Sequence, residues 1–428
     1  MKHILVAVCL AALAAPALAQ QGSAQSPGNS TVLTANQPDG LGFAPERLER
    51  LHAAMQSVVD QKALPGVVTL LVRHGQVEEE RVYGKKDIAA GTPMTPDTIF
   101  RIFSMTKPVT GVAMMILYEE GKWKPSDPIS KFIPEFAHLK VYKGTDASGN
   151  MILEDPVHPP TMRELMTHTA GFTYGFSDAP VDKLYQESKP LESKSLQEMI
   201  DRLAKLPLLY QPGSKYVYSL SMDIQGYIIE KLSGQSLPEF MQQHIFGPLR
   251  MTDTGFFVPQ EKSGRFASLY GGDKDGTMIP MADAGAYSNF HALPGLPSGG
   301  GGLVSTAQDY RRFAQMLLNK GELDSVRILS PASVALMTTN HLPDGLFVLP
   351  GVGYGYDCSV IPDPLQADTP VGKGTFWWGG AADTWFWIDP ANDLVFIGMT
   401  QRMIGPGQPD MPNLSQPIVY GAMIDPNR

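Results

Sequence analysis

Ser104-Met105-Thr106-Lys107-Pro108-Val109-Thr110-Gly111-Val112-Ala113-Met114-Met115-Ile116-Leu117 is the segment from which the rest of the chain can be read. A serine and a lysine three apart on a helix share one face, with Cβ atoms about 5–6 Å apart. The amine can then reach the hydroxyl. A serine hydroxyl is a poor nucleophile until a neighbour takes its proton. A lysine does that only when burial or another positive field lowers its pKa. The sequence offers both. Val109 and Val112 to Leu117 are apolar on nearly every side, so the helix is expected to be buried. Pro108 lacks an N–H and belongs in the first turn. Ser104 then sits at the helix N-terminus, where the dipole disfavours a charged amine. Gly121 is read as the residue just past the helix end. The same spacing also occurs on solvated helix faces; here it is the chain's single S-x-x-K and leads into a buried helix.

The chain has 428 residues, 43% apolar and 18% charged, which fits a large globular core. A net charge of −9 argues against nucleic acid as a partner, which needs a basic footprint. Met1-Lys2-His3, an apolar run over 4–13 and Ala17-Leu18-Ala19 read as a signal peptide over 1–19. The chain is therefore expected to be exported, periplasmic or secreted, with no integral membrane segment after cleavage. Residues 20–42, rich in Gln, Ser, Gly, Asn and Pro, read as a disordered leader. Cys9 lies inside the apolar run, which leaves Cys358 as a buried, weakly polar side chain with no disulfide partner.

Along the chain, residues 45–63 carry Leu48, Leu51, Met55, Val58 and Val59 at helical spacing. Val67 to Val72 is an unbroken β-branched run, read as a central strand, and 77–82 returns antiparallel after the His74-Gly75 turn. Residues 122–136 form a proline-broken connection and 143–150 an exposed turn. Thr161-x-x-Glu164 is a capping box. His168, in the turn that follows, is read as a hydrogen-bonded structural residue. Gln211-Pro212-Gly213 turns into Tyr218, which precedes a helix stopped by Gly234. Residues 248–301 read as loops. The run Gly299 to Gly302 lacks a basic residue at phosphate-loop spacing and is read as a tight turn. Ser305-Thr306 caps another helix. Phe376 to Ala381 precedes a strand over 384–388, Asp389-Pro390 turns it, 394–399 is its partner, and a last helix covers 414–423.

The nucleophile elbow G-x-S-x-G is absent, as are H-E-x-x-H and any cysteine cluster for zinc; no metal or cofactor is expected. The segments Thr98 to Pro108, Leu165-Met166-Thr167-His168-Thr169-Ala170-Gly171, Pro212-Gly213 with Tyr218-Ser219, and Gly302-Leu303-Val304-Ser305-Thr306 with Asp309 resemble, in order, the serine β-lactamase-like superfamily. That superfamily includes class C β-lactamases, D,D-peptidases and family VIII carboxylesterases. The resemblance runs from about residue 45 to the C-terminal helix. It implies an α/β (α+β) fold of the β-lactamase/D,D-peptidase kind: an antiparallel sheet built from both chain ends, flanked by helices, with a mostly helical part inserted. One catalytic domain over 43–428 is implied, with its α/β part at about 43–95 and 300–428 and its helical part at about 96–299.

By the same resemblance Ser104 is the acylated nucleophile, Lys107 assists its deprotonation, and Tyr218 is the general base. A phenol with an ordinary pKa near 10 must then be stabilised as phenolate by Lys107. The backbone N–H groups of Ser104 and Ala381 would form the oxyanion hole. Trp378, Gly379 and Gly380 stand where β-lactamases carry K-T-G, and Lys373-Gly374-Thr375 is a decoy. Tyr218-Ser219-Leu220 lacks the Asn of Y-x-N, and Trp378 replaces the lysine that meets a substrate carboxylate. Both departures favour esters without a carboxylate, as in family VIII esterases. The expected activity is serine hydrolysis of short-acyl carboxylic esters. The alternatives are a β-lactamase or D,D-peptidase, and an inactive penicillin-binding-protein-like binding module. Asp383 is read as an exposed turn residue, and the oligomeric state stays open.

Overall fold

The computed structural model describes residues 33–34, 41–281, 290–405 and 407–425. The expected signal peptide lies outside them, and so does the expected leader, apart from 33–34 and 41–42. In chain order the elements that carry the site are β1 (Leu33–Thr34), α1 (Pro45–Asp60), β2 (Gly66–Arg73), β3 (Gln76–Asp87), α2 (Thr106–Glu119), α3 (Ser221–Ser233), α4 (Ala307–Leu318), β4 (Gly353–Tyr354), β5 (Ser359–Ile361), β6 (Thr375–Gly379), β7 (Trp385–Asp389), β8 (Leu394–Met399) and α5 (Met411–Ala422).

The strands form one antiparallel sheet in the order β1-β3-β2-β8-β7-β6-β5-β4, with Thr92–Pro93 added beside β3. Both chain ends supply it, because β2 pairs with β8, Val68 facing Met399 and Arg73 facing Leu394. Every residue of β2 and β8 is buried, which their unbroken apolar runs require of strands covered on two faces. On one face lie α1 and α5, packed through Leu48, Leu51, Met55 and Val58 against Val67, Leu71, Trp387 and Phe396. On the other lie α2, α4 and the helical middle, with Val109, Val112, Met115, Phe313 and Met316 against Val68, Leu70, Val395 and Ile397. Among the described residues no helix is long and apolar enough to cross a membrane.

Local signals explain most boundaries. Pro45 begins α1. The Thr161–Glu164 capping box closes in both directions. Gly121 and Gly234 follow α2 and α3 at φ +71 and +73, where a Cβ is costly. Four stretches differ from the sequence reading, the first being 248–301, read as loops, where Tyr270–Gly272 pairs with Met278–Pro280. Phe376 to Ala381 is not merely a lead-in: Thr375–Gly379 is itself a strand, pairing Trp378 with Phe386 and Gly379 with Trp385. The exposed turn at 143–150 is the tip of a hairpin, Val141–Thr145 with Met151–Glu154. The last helix begins at Met411, where Asp410 caps it by accepting from Asn413 N–H.

Candidate active site

Ser104 lies in a 3-10 turn, Phe103–Met105, that feeds α2. The turn is gripped from three sides. Arg101 N–H donates to Gln401 Oε1 at 2.8 Å and Ile102 N–H to Leu303 O at 3.0 Å. Tyr310 Oη, from α4, donates to Met105 O at 2.9 Å. Phe103 sits at φ +42, an uncommon conformation for a bulky side chain. Strain of this sort persists only where surrounding contacts over-determine it, as they do here.

Lys107 follows one helical turn later and is fully buried. Its Nζ donates to Ser104 Oγ at 3.0 Å and to Gly300 O at 2.7 Å. Tyr218 comes from the loop before α3, and its phenol oxygen lies 2.6 Å from Ser104 Oγ. Lys107 Nζ stands 4.6 Å from the centre of the Tyr218 ring. Serine, lysine and tyrosine thus meet at one oxygen, across 114 residues of sequence in the case of Tyr218.

The Tyr218 loop is held by the turn around His168. Val217 N–H donates to His168 O and Gly213 N–H to Thr169 O, both at 2.8 Å. Ser219 N–H donates to His168 Nδ1 at 3.2 Å, which leaves the ring proton on Nε2. Burial first, and then the Lys107 charge, hold His168 well below the usual histidine range. The neutral ring packs 4.9 Å from that of Tyr218 and 5.3 Å from that of Tyr354. His168 is therefore a support for Tyr218.

Ala381 lies in the β6–β7 turn. Gly380 N–H donates to Thr384 O at 2.7 Å and Asp383 N–H to Gly380 O at 2.9 Å. This turn is pressed onto the serine turn: a Cβ on Gly380 would lie 2.3 Å from Ile102 O, so only glycine fits. Among the described residues the N–H groups of Ser104 and Ala381 donate to no protein oxygen in the bonds around these turns. Asp383 is not an exposed turn residue. It is buried at φ +63, and burial raises its carboxyl well above the usual range, opposed by Gln408 and Arg402. The sequence misleads here because Arg402 and Gln408 reach this turn from beyond β8.

Trp378 is half-buried, its ring 5.6 Å from Tyr218 and 5.4 Å from Tyr354. Tyr174 stands 5.2 Å from Tyr218 on the other side, and Phe176 5.1 Å from Tyr174. Leu342, Leu346 and Val348 pack against the Trp378 side. These side chains make an apolar, aromatic wall beside Ser104, with Lys107 Nζ 5.4 Å from the centre of the Tyr174 ring. Gly379 follows Trp378 in β6, where a Cβ would lie 3.3 Å from Thr384 O. Thr375 opens that strand, about 13 Å from Gly379 at the usual rise per residue, and Lys373 lies in the turn before it. Among the described residues no group of three or more His, Cys, Asp and Glu is arranged to hold a metal. Cys358 is buried and unbonded to another cysteine.

Sequence reading missed Gly300, Asp223, Tyr174 and Phe176. The run Gly299 to Gly302 was the available signal: it is not only a turn but the wall that Lys107 bonds.

The Beta-lactamase family model matches residues 51–415. The Mycobacterium tuberculosis "Protein Rv1367c" is 37% identical over 371 residues, covering 83% of this chain and 90% of that protein. "Esterase EstB" of Burkholderia gladioli is 31% identical over 385 residues, covering 83% and 92%. Among solved structures, "EstCE1, a hydrolase with promiscuous acyltransferase activity" superposes with a TM-score of 0.71 at 26% identity, covering 89% of this chain and 98% of that one.

Proposed function

This chain belongs to the beta-lactamase family, and from that premise we propose that it is an exported serine carboxylesterase cleaving short-acyl esters through an acyl-enzyme on Ser104. The observation that carries the reading is the meeting of Lys107 Nζ and the Tyr218 phenol oxygen at Ser104 Oγ, 3.0 and 2.6 Å away. Ser104 Oγ attacks the ester carbonyl carbon while its proton passes to Tyr218, which acts as a phenolate whose negative charge Lys107 offsets until the proton arrives. The carbonyl oxygen gathers charge between the N–H groups of Ser104 and Ala381, an arrangement in which one lost donor typically costs ~10²–10³ in rate. The tetrahedral intermediate collapses, and the alcohol leaves with the proton from Tyr218. Water then enters by the reverse path: Tyr218 takes its proton, and the acid departs from Ser104.

The aromatic wall of Trp378, Tyr174 and Tyr354 supports an uncharged, apolar substrate. Similarity to "Esterase EstB" supports ester hydrolysis. The test is a panel of p-nitrophenyl esters, a chromogenic cephalosporin and D-Ala-D-Ala peptides, read by rate and by intact mass. The expected result is a covalent acyl adduct with a short ester, absent in Ser104→Ala along with all turnover. A higher kcat/KM for the cephalosporin than for any short ester would reverse the choice of substrate. Undiminished hydrolysis by Ser104→Ala would remove the mechanism.

A further inference from the structure

Lys107 is a buried cation faced by two buried carboxyls, and the two are not equivalent. Asp223 comes from α3 and Asp357 from the β4–β5 turn, and both are fully buried. Among the described residues, the other titratable groups around Lys107 are His168, which is neutral, and the phenols of Tyr174 and Tyr218, with Tyr216 and Tyr354 packed against His168; residues 298–301 contribute only backbone and the Ser298 hydroxyl. The local charge balance therefore lies between one amine and two acids.

Asp223 Oδ1 accepts from Ser298 Oγ at 2.5 Å and from Gly300 N–H at 3.1 Å. Asp357 Oδ1 accepts only from Gln225 Nε2, at 3.0 Å, while Oδ2 of each acid has no partner among the described residues. Burial raises both carboxyls, Asp357 well above the usual range; for Asp223 the Ser298 hydrogen bond, the Lys107 charge and Gly300 N–H pull the other way. One carboxylate beside one ammonium is tolerable in a dry interior, whereas a second unpaired carboxylate is expensive enough to take up a proton instead.

We propose that Asp223 is the anionic counter-charge of Lys107, joined to it through Gly300, while Asp357 stays protonated. Gly300 faces both ways: its N–H donates to Asp223, and its carbonyl accepts from Lys107. The glycine run is what permits this. A Cβ at Gly299 would lie 2.3 Å from Met222 O, and at Gly300 2.6 Å from Asp223 Oδ2 and 2.8 Å from the Tyr174 oxygen. Asp223 bonds Ser298 and Gly300 and reaches Lys107 only through Gly300, so it is a positioning residue. By keeping the proton on Lys107 it leaves Tyr218 as the group that takes the serine proton.

The inference rests on the esterase reading, and two measurements separate them. The first is the pH dependence of kcat and kcat/KM for a p-nitrophenyl ester. Asp223→Asn is expected to lower kcat ~10–100-fold with KM within about threefold, and to move the alkaline limb down by about one pH unit or more. Asp357→Asn replaces one neutral group with another, at φ +65 where Asn is well tolerated, and keeps the wild-type profile. Ser298→Ala, which weakens the Asp223 carboxylate without removing it, moves the acid limb up and serves if Asp223→Asn does not fold. The second is an NMR titration of 13C-labelled lysine, which needs no turnover: the Lys107 signal titrates at lower pH in Asp223→Asn and unchanged in Asp357→Asn. A wild-type enzyme inert to esters would undo the esterase reading and leave the titration to decide the charge. An unmoved Lys107 titration and profile in Asp223→Asn, or the same movement in Asp357→Asn, overturns the inference.

Discussion

Tyr218 and Trp378 are the residues whose roles can be separated most cleanly. Tyr218→Phe keeps the ring against His168 and Trp378 and removes only the oxygen 2.6 Å from Ser104 Oγ. Steady-state kinetics should show kcat falling ~10²–10⁴-fold, the usual worth of a general base. A near-wild-type rate would hand the role to Lys107. Trp378→Lys puts a cation on the wall beside Ser104, and binding of carboxylate-bearing β-lactams should tighten, read as a lower inhibition constant for ester hydrolysis. Unchanged inhibition would detach Trp378 from the substrate. Ser104 and Lys107 were legible because their contact is local, one helical turn. Asp223 and Gly300 were not, because their contacts to the site span 77 and 193 residues and neither residue type announces a buried role. Asp383 was misread because a charged residue after two alanines resembles a surface turn until Arg402 and Gln408 are folded over it.

Among elements, α2 and β2 declared themselves by unbroken apolar runs, whereas the stretch that forms β6 was read only as the lead-in to the strand over 384–388. That strand is defined by its neighbours: Phe376 faces Val360 on one side and Ile388 on the other, pairings no local pattern contains. The contact between α1 and β3 makes a separate prediction. His52 Nε2 lies 2.7 Å from Glu79 Oε2. Burial lowers the histidine, but the hydrogen bond and charge of Glu79 outweigh it, and the net shift is upward from 6.5. A folded value above the unfolded one means that protonation favours the folded state. The contribution is complete below about pH 6.5 and is lost as pH rises through the raised value. Thermal melts from pH 5.5 to 8.5 should therefore show a decline in Tm that is shallower in His52→Gln. Equal slopes in the two proteins would mean the pair contributes nothing to the pH dependence.

For the whole molecule, the antiparallel sheet fed by both ends was expected from the strands read at 67–72 and 394–399 together with the family resemblance. The way the ends are fastened was not. Arg73, buried in β2, donates through Nη1 to Leu41 O at 2.7 Å and Asp425 O at 2.9 Å, and through Nε to Asn392 O at 3.2 Å. One guanidinium therefore serves three separated parts of the chain, which a lysine's single nitrogen cannot reproduce. Arg73→Lys should lose about 1–3 kcal/mol of stability in urea titration by leaving buried carbonyls unmet. The rate per folded molecule should stay the same, since Arg73 lies at the opposite end of β2 from the serine turn. A loss of rate at full stability would contradict this assignment.

The fastening at Arg73 also places residues 42–44 and 422–424 side by side, with Ala44 N–H donating to Ala422 O at 2.9 Å and Ile424 N–H to Gly42 O at 2.9 Å. A circular permutant follows from that adjacency. Joining residue 425 to residue 41 through a short glycine linker, and opening new termini in the exposed tip at 146–149, leaves the strands from β2 to β8 their native neighbours apart from the pairing of β3 with β1. The joined polypeptide should reach the same sheet and the same serine turn, with calorimetry and ester turnover as the readouts.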